Sequence, residues 1–318
     1  MKKLDNLKWN PSWISAMGCI KGCLDYLGLE VSNTWLYGAS GYGFVINIHE
    51  VVCPSGPTAW QNEILFKLAP NIGFRLEGTG TCKFVSDFKK IQKSVWDDTR
   101  KNIDKGVPCY GWELSCPEYA VVYGYDDIGY YFKGPGADDG GGPKPWNELG
   151  ETEIGMIEMY SVHPNKSSSP EKTVKEVFQA VIKHSQNPKE WIFEKYGSGP
   201  KAYEIWIEAL KNEVAHPMGM AYNSIVWHEC RFYAVEFLKQ AKNKLGSNTD
   251  SDFDLAVENY SEIEKALREV SEMFPFKGMN PKHVKDKERV SRAIELLDRA
   301  REFEIKGLKN LETIAEKL

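Results

Sequence analysis

Residues 106–136, GVPCYGWELSCPEYAVVYGYDDIGYYFKGPG, constrain this chain more than any other stretch. Two runs within it, 119–125 and 128–132, are dominated by Tyr, Val, Ile and Phe, side chains that suit a pleated, half-buried surface. Asp126 and Asp127 separate them ahead of Gly129, and a short Asp/Gly break between two such runs reads as a β-hairpin. A third strand pattern, 108–114, comes just before. The chain therefore needs a small antiparallel sheet with this hairpin at its centre, and the other elements have to be placed around it.

At 318 residues there is room for two domains of ordinary size. An apolar share of 42% and a charged share of 27% are those of a soluble globular protein. A net charge of −5 supplies no basic footprint, so no nucleic-acid partner is expected. Met1-Lys-Lys-Leu-Asp-Asn leads into Trp and Pro and not into an apolar run, and no stretch approaches the roughly 20 apolar residues of a membrane span. The expectation is a cytoplasmic protein without a membrane partner. Seven cysteines, six of them before residue 117, include no CxxC pair, and Cys109 and Cys116 lack the spacing of a zinc knuckle. They are expected to be free thiols, buried or with one acting as a nucleophile. Neither a metal nor a cofactor is expected.

Along the N-terminal half, 13–28 reads as a helix entered from Pro11-Ser12, with Ile20, Cys23, Leu24 and Leu27 on one face and Gly28 just past its end. Gly18 and Gly22, four apart, would let another segment approach its backbone closely. Gly38, Gly41 and Gly43 predict a loop before a strand over 44–48; no Lys-Ser/Thr follows them, so a phosphate cradle is not supported. Cys53-Pro-Ser-Gly-Pro-Thr58 predicts a rigid turn, followed by helices over 60–68 and 84–103. Residues 134–145 predict a long surface loop in which Asp138 and Asp139, like Asp126 and Asp127, are turn residues, and 154–160 a last strand. Helices followed by strands predict α+β architecture.

Composition changes at His163-Pro-Asn-Lys-Ser-Ser-Ser-Pro170, the predicted linker between a domain of residues 1–164 and one of 165–318. Beyond it no strand pattern is apparent. Ser169 and Pro170 suit the cap and first position of a helix. Five amphipathic stripes follow, led by Val174, Ala202, Met220, Ala256 and Val290, which predict a helical bundle. The last helices also offer a seam for a homodimer.

Pro117-Glu-Tyr-Ala-Val-Val-Tyr-Gly-Tyr-Asp-Asp127, Tyr130-Tyr-Phe-Lys-Gly-Pro135 and the helix ending Asp25-Tyr-Leu-Gly28 carry a resemblance. The N-terminal half resembles the papain-like fold of the bacteriocin leader-peptidase family and its relatives, among them the N-terminal domain of the butirosin-biosynthesis acyltransferase family. The C-terminal helices, with Trp227-His-Glu-Cys-Arg231, look like the helical region that follows such domains in uncharacterised bacterial proteins of this group. In those enzymes a thiolate attacks, an imidazole supports it and protonates the leaving group, and a third polar group orients the ring. Laid over this chain without gaps, the resemblance puts the nucleophile at Ser15, the histidine at Glu118 and the orienting acid at Gly134. All three depart. A carboxylate has the wrong pKa for imidazole's work and opposes thiolate formation.

A shifted alignment brings Cys19 to the head of the helix, so Cys19, Ser15 and Glu118 are the candidate catalytic positions. Trp13, Tyr42, Cys53, Cys116 and Glu229 are the expected cleft residues. Cys53 lies four residues from His49, a spacing that allows nucleophile and base. His228-Glu229 is no zincin motif, because Phe232 stands where the second histidine belongs. Glu229 and Arg231 are expected in an inter-helix ion pair, or Glu229 beside the inter-domain cleft. Three readings result. The first is a papain-like protein with a degenerate triad that binds a small molecule or peptide. The second is an acyltransferase or amide hydrolase using Cys19 or Cys53, and the third a helical interaction scaffold.

Overall fold

A computed structural model describes residues 1–59, 63–186, 188–246 and 249–318. In chain order the elements are β1 (Lys2–Lys3), α1 (Ser15–Tyr26), α2 (Asn33–Ala39), β2 (Asn47–His49), α3 (Glu63–Ile72), β3 (Phe74–Cys82), α4 (Phe88–Asp104), β4 (Cys109–Trp112) and β5 (Tyr119–Tyr125). They continue with β6 (Gly129–Gly134), β7 (Ala137–Pro145), β8 (Met156–Pro164), α5 (Pro170–Gln186), β9 (Tyr196–Ser198), α6 (Pro200–Lys211), α7 (Pro217–Leu245), α8 (Asp250–Met273) and α9 (Lys287–Lys317). The chain is thus a mixed α/β protein with a seven-stranded antiparallel sheet and a helical C-terminal region.

The elements gather into two compact units, residues 1–32 with 73–167 and residues 33–72 with 168–318. The boundary at 167 falls inside the predicted linker, but one cut at 164 does not divide the chain. Residues 33–72 belong with the helices because their packing partners lie there. Gly38 of α2 is the clearest case: an added Cβ would fall 2.0 Å from the Phe237 ring of α7, so only glycine lets that ring seat on the α2 backbone.

In the first unit the sheet runs β3-β8-β4-β5-β6-β7, with β1 pairing the end of β5. The predicted hairpin is β5–β6, closed by Tyr125 opposite Tyr130. Asp126 makes the turn: its Oδ1 accepts the amides of Ile128 (2.8 Å) and Gly129 (3.2 Å), and its Oδ2 accepts the Tyr131 hydroxyl (2.7 Å). Register puts Cys109, Val122 and Phe132 on one face and Tyr110 with Val121 on the other. On the first face Tyr130 meets Trp96 of α4 edge-on at 4.9 Å.

Strands β3 and β7, at the two ends of the sheet order, escaped the sequence pattern. The predicted surface loop at 134–145 is largely the edge strand β7, and residues 74–82 form the opposite edge, β3. An edge strand forms a ladder on one side only, so it tolerates Gly and Pro and need not alternate. The helix predicted over 60–68 begins outside the described residues and is seen as α3. The strand predicted over 44–48 is shorter and later, as β2, and pairs with β9 in a region where no strand was predicted.

The second unit buries the predicted stripes: Val174, Val177, Phe178 and Val181 on α5, Ala202 and Trp206 on α6, Tyr260, Ile263 and Leu267 on α8. Ser169 caps α5, its Oγ accepting the Lys172 amide at 3.3 Å. On the α9 stripe Leu297, Leu311 and Ala315 are buried, and Val290, Ile294 and Leu308 are half-buried. At the centre Arg231 of α7 and Glu304 of α9 form an ion pair with both side chains 0% exposed. The guanidinium reaches the carboxylate at 2.9–3.2 Å and also donates to the carbonyls of Gly43 (2.9 Å) and Val45 (3.0 Å). Tyr203 of α6 donates to Glu304, and the Tyr260 ring of α8 lies 5.9 Å from the guanidinium. Arg231 therefore makes an inter-helix pair as expected, but with Glu304. Glu229 instead accepts the Tyr37 hydroxyl at 2.6 Å.

Candidate functional site

Helix α1 starts at Ser15 without a side-chain cap, since Ile14 occupies the cap position. Its first hydroxyl points at the β4–β5 loop. Ser15 Oγ donates to Glu118 Oε2 and accepts the Tyr119 amide at 3.0 Å. Ser15 is 2% exposed and Glu118 half-buried. The two positions matched to nucleophile and histidine, 103 residues apart in sequence, thus meet side by side.

The loop holding Glu118 is tightly folded. Glu113, with φ +59°, donates its amide to the Glu118 carbonyl at 2.9 Å, and the Glu118 amide bonds the Cys116 carbonyl at 2.7 Å. A left-handed backbone at a non-glycine residue is uncommon and held by its surroundings. Here Glu113 Oε2 is also anchored, by the Thr152 hydroxyl at 2.6 Å. Half-buried Cys116 donates to the Pro135 carbonyl at 3.4 Å. Its thiol is pushed up by burial; the hydrogen bond with Ser115 opposes this, and Glu118 and then Glu113 push it up further.

Cys19 sits one turn below Ser15 and is 0% exposed. Burial pushes its thiol well above the ordinary range, and Cys23 and Glu118 push it further. Cys23 is raised by the same burial, and Cys109 is pushed up to about 12. These are packed, protonated thiols. The helix start does not rescue Cys19, because its sulfur is sealed and the nearest carboxylate disfavours a thiolate.

Gly134, the position of the orienting acid, has no space for any side chain. An added Cβ would lie 2.7 Å from the Ala120 Cβ and 2.9 Å from its Cα. Trp13, half-buried, lies two residues before Ser15 in the same unit.

Tyr42, Cys53 and Glu229 belong to the second unit. Tyr42 is 3% exposed, a packed aromatic and not a loop-tip residue. Glu229 is half-buried and held by Tyr37. Half-buried Cys53 follows β2, and its sulfur contacts the Ser55 hydroxyl. His49, the base that the spacing offered, ends β2. The ring packs edge-on against Tyr196 at 4.8 Å, and Nδ1 accepts the Val51 amide at 3.3 Å, which leaves the proton on Nε2. Burial lowers its pKa, so it is neutral near neutral pH. Among the described residues no group of three or more His, Cys, Asp or Glu side chains is arranged to hold a metal ion.

Sequence reasoning missed two partnerships. Tyr119 donates to Glu158, whose carboxyl is raised by burial and partly restored by Tyr119 and Tyr160. Ser55 meets Tyr196 across 141 residues, and no local pattern announces such a pair. Removing the Ser15 hydroxyl tests the first site directly. Ser15→Ala leaves the buried Tyr119 amide without its acceptor and is expected to cost about 1–3 kcal/mol in urea unfolding.

No family model matches the chain, and a search of curated proteins returns no match.

Proposed function

We propose that the N-terminal unit is a papain-like frame that binds a small molecule or short peptide without cleaving it. The observation that carries this reading is the Ser15–Glu118 pair. At the positions where the resemblance expects nucleophile and imidazole stand a hydroxyl and a carboxylate already bonded to one another, with the Tyr119 amide on the same oxygen. A serine hydroxyl is far too weak an acid for a carboxylate to deprotonate usefully. Crowding at Gly134 and the sealed thiol of Cys19 support the same conclusion. What the frame retains is a half-buried carboxylate, Glu118, with half-buried Trp13 and Cys116 in the same unit. An acidic group with an aromatic suits a ligand with an amine or amide end.

Native mass spectrometry against a panel of short peptides and N-acyl amino acids tests this. Reversible one-to-one adducts are expected, weakened at least tenfold by Glu118→Ala, the size of a lost charged hydrogen bond, and unchanged by Cys19→Ala. Cleaved products, or a covalent acyl adduct on Cys19, would overturn the reading and favour the thiol enzyme.

A further inference from the structure

The loop that joins α8 to α9 concentrates positive charge beside an exposed apolar surface. From Lys277 to Arg289 the sequence carries five Lys and Arg residues against Asp286 and Glu288, in a chain whose net charge is −5. Several cations of α8 and α9 are tied down: Lys265 and Arg299 by Glu262, Arg292 by Glu269 and Lys317 by Asp252. Lys277, Lys282, Lys285 and Lys287 are exposed, and among the described residues none of them pairs with a carboxylate. Asp286 is engaged with Arg289 instead. It faces that guanidinium at 3.9 Å and caps α9 by accepting the Arg289 amide at 3.1 Å.

The apolar side chains beside these lysines are contiguous. Met218, in the first turn of α7, is 43% exposed, Phe276 38% and Met279 39%. Met218 and Tyr222 stand one turn apart on α7, and the Tyr222 ring meets the Phe276 ring at 5.8 Å. A turn then bonds the Met279 amide to the Phe276 carbonyl at 3.3 Å. The 3-10 turn Pro281–Lys285, which carries Lys282 and Lys285, also packs against α7.

The loop is held in this form. Asn280 accepts the Lys282 amide through its side chain and the His283 amide through its carbonyl, both at 3.0 Å. Phe274 is buried, and Arg289 reaches over its ring to the Met273 carbonyl. A partner meets an ordered surface and spends little free energy on ordering it.

We propose that this face of the helical unit, Met218, Phe276 and Met279 with the four lysines of the loop, docks a short acidic peptide segment that carries apolar side chains. Methionine adapts to apolar side chains of varied shape, and the lysines supply the charge that selects an acidic sequence. Two observations favour a peptide over an anionic bilayer. Side chains that wedge into lipid stand clear of the surface, whereas these three lie along it, more than half covered. The net charge of −5 also opposes approach of the whole chain to an anionic membrane, while a short segment meets the local cations alone. The inference does not rest on the ligand reading of the N-terminal unit, because every residue in it belongs to the other unit.

The experiment is fluorescence anisotropy of the full chain with a panel of labelled peptides in which Glu and Asp are interspersed with Leu and Phe. The same peptides with Lys in place of the acids are the controls. Saturable binding of the acidic peptides is expected, weakening as salt is raised. Lys282→Glu combined with Lys285→Glu should weaken it about tenfold and Met279→Ser about fivefold, with the thermal midpoint unchanged. An acidic peptide bearing benzophenone should crosslink to Met218 or Met279, which locates the site in the wild-type chain without any substitution. Control peptides that bind as well as the acidic ones, or no acidic peptide saturating below about 1 mM, would overturn the proposal. Crosslinks that fall outside α7 and the α8–α9 loop would do the same. Two other occupants are also outcomes that overturn it: sedimentation of the chain with phosphatidylserine vesicles, or self-association abolished by Met279→Ser, in either case without peptide binding. A variant that unfolds reveals itself by its thermal midpoint, and the crosslinks of the wild-type chain then decide.

Discussion

Arg231→Met is expected to destabilise the helical unit by about 3–5 kcal/mol, the cost of leaving one member of a buried ion pair without its partner. Glu304 would keep a carboxylate with 0% exposure, and the carbonyls of Gly43 and Val45 would lose their donor. Burial already pushes the Glu304 carboxyl up, and only the guanidinium with its hydrogen bonds, together with the Tyr203 hydroxyl, pulls it back. Against a typical domain stability of about 5–15 kcal/mol the loss is large. Urea unfolding followed by far-UV circular dichroism measures it. The double variant Arg231→Met with Glu304→Leu should recover much of the loss, because an apolar pair carries no desolvation cost. If the double variant is as unstable as the sum of the singles, the network is held by its geometry and not by the charge pair.

The second large effect is a pH dependence centred on His184. This residue lies on α5, is 1% exposed, and its carbonyl accepts the Ser198 hydroxyl at 3.1 Å. Burial pushes its pKa down to about 4 from an ordinary 6.5. Between those values the unfolded chain holds a proton that the folded chain refuses, so stability rises with pH there and is lost on acidification. The loss amounts to about 2 kcal/mol between pH 7 and pH 5 and about 3 kcal/mol by pH 4. His184→Leu should remove this component. The difference between wild type and variant across that window isolates it from the carboxylates that titrate lower. A parallel pH profile for the two proteins would refute the assignment.

The residues reveal some parts of this molecule and conceal others for identifiable reasons. The β5–β6 hairpin was legible from its Tyr, Val and Phe runs split by an Asp/Gly break, and α5, α6, α8 and α9 from apolar stripes at the helical period. The edge strands β3 and β7 were not, since one open side releases them from alternation. Helix α2 was hidden by Gly38, which reads as a loop signal but serves close contact with Phe237. At the candidate site, resemblance alone put Ser15 beside Glu118, and nothing local foretold their bond.

The most direct test of a frame without peptidase chemistry is the alkylation rate of Cys19 by iodoacetamide in the native protein. Its 0% exposure and raised thiol predict that Cys19 stays unmodified until urea unfolds the chain, and is then labelled at the rate of a free cysteine. Labelling of Cys19 in the folded protein, faster than a free thiol at the same pH, would contradict the binding reading and restore Cys19 as a nucleophile.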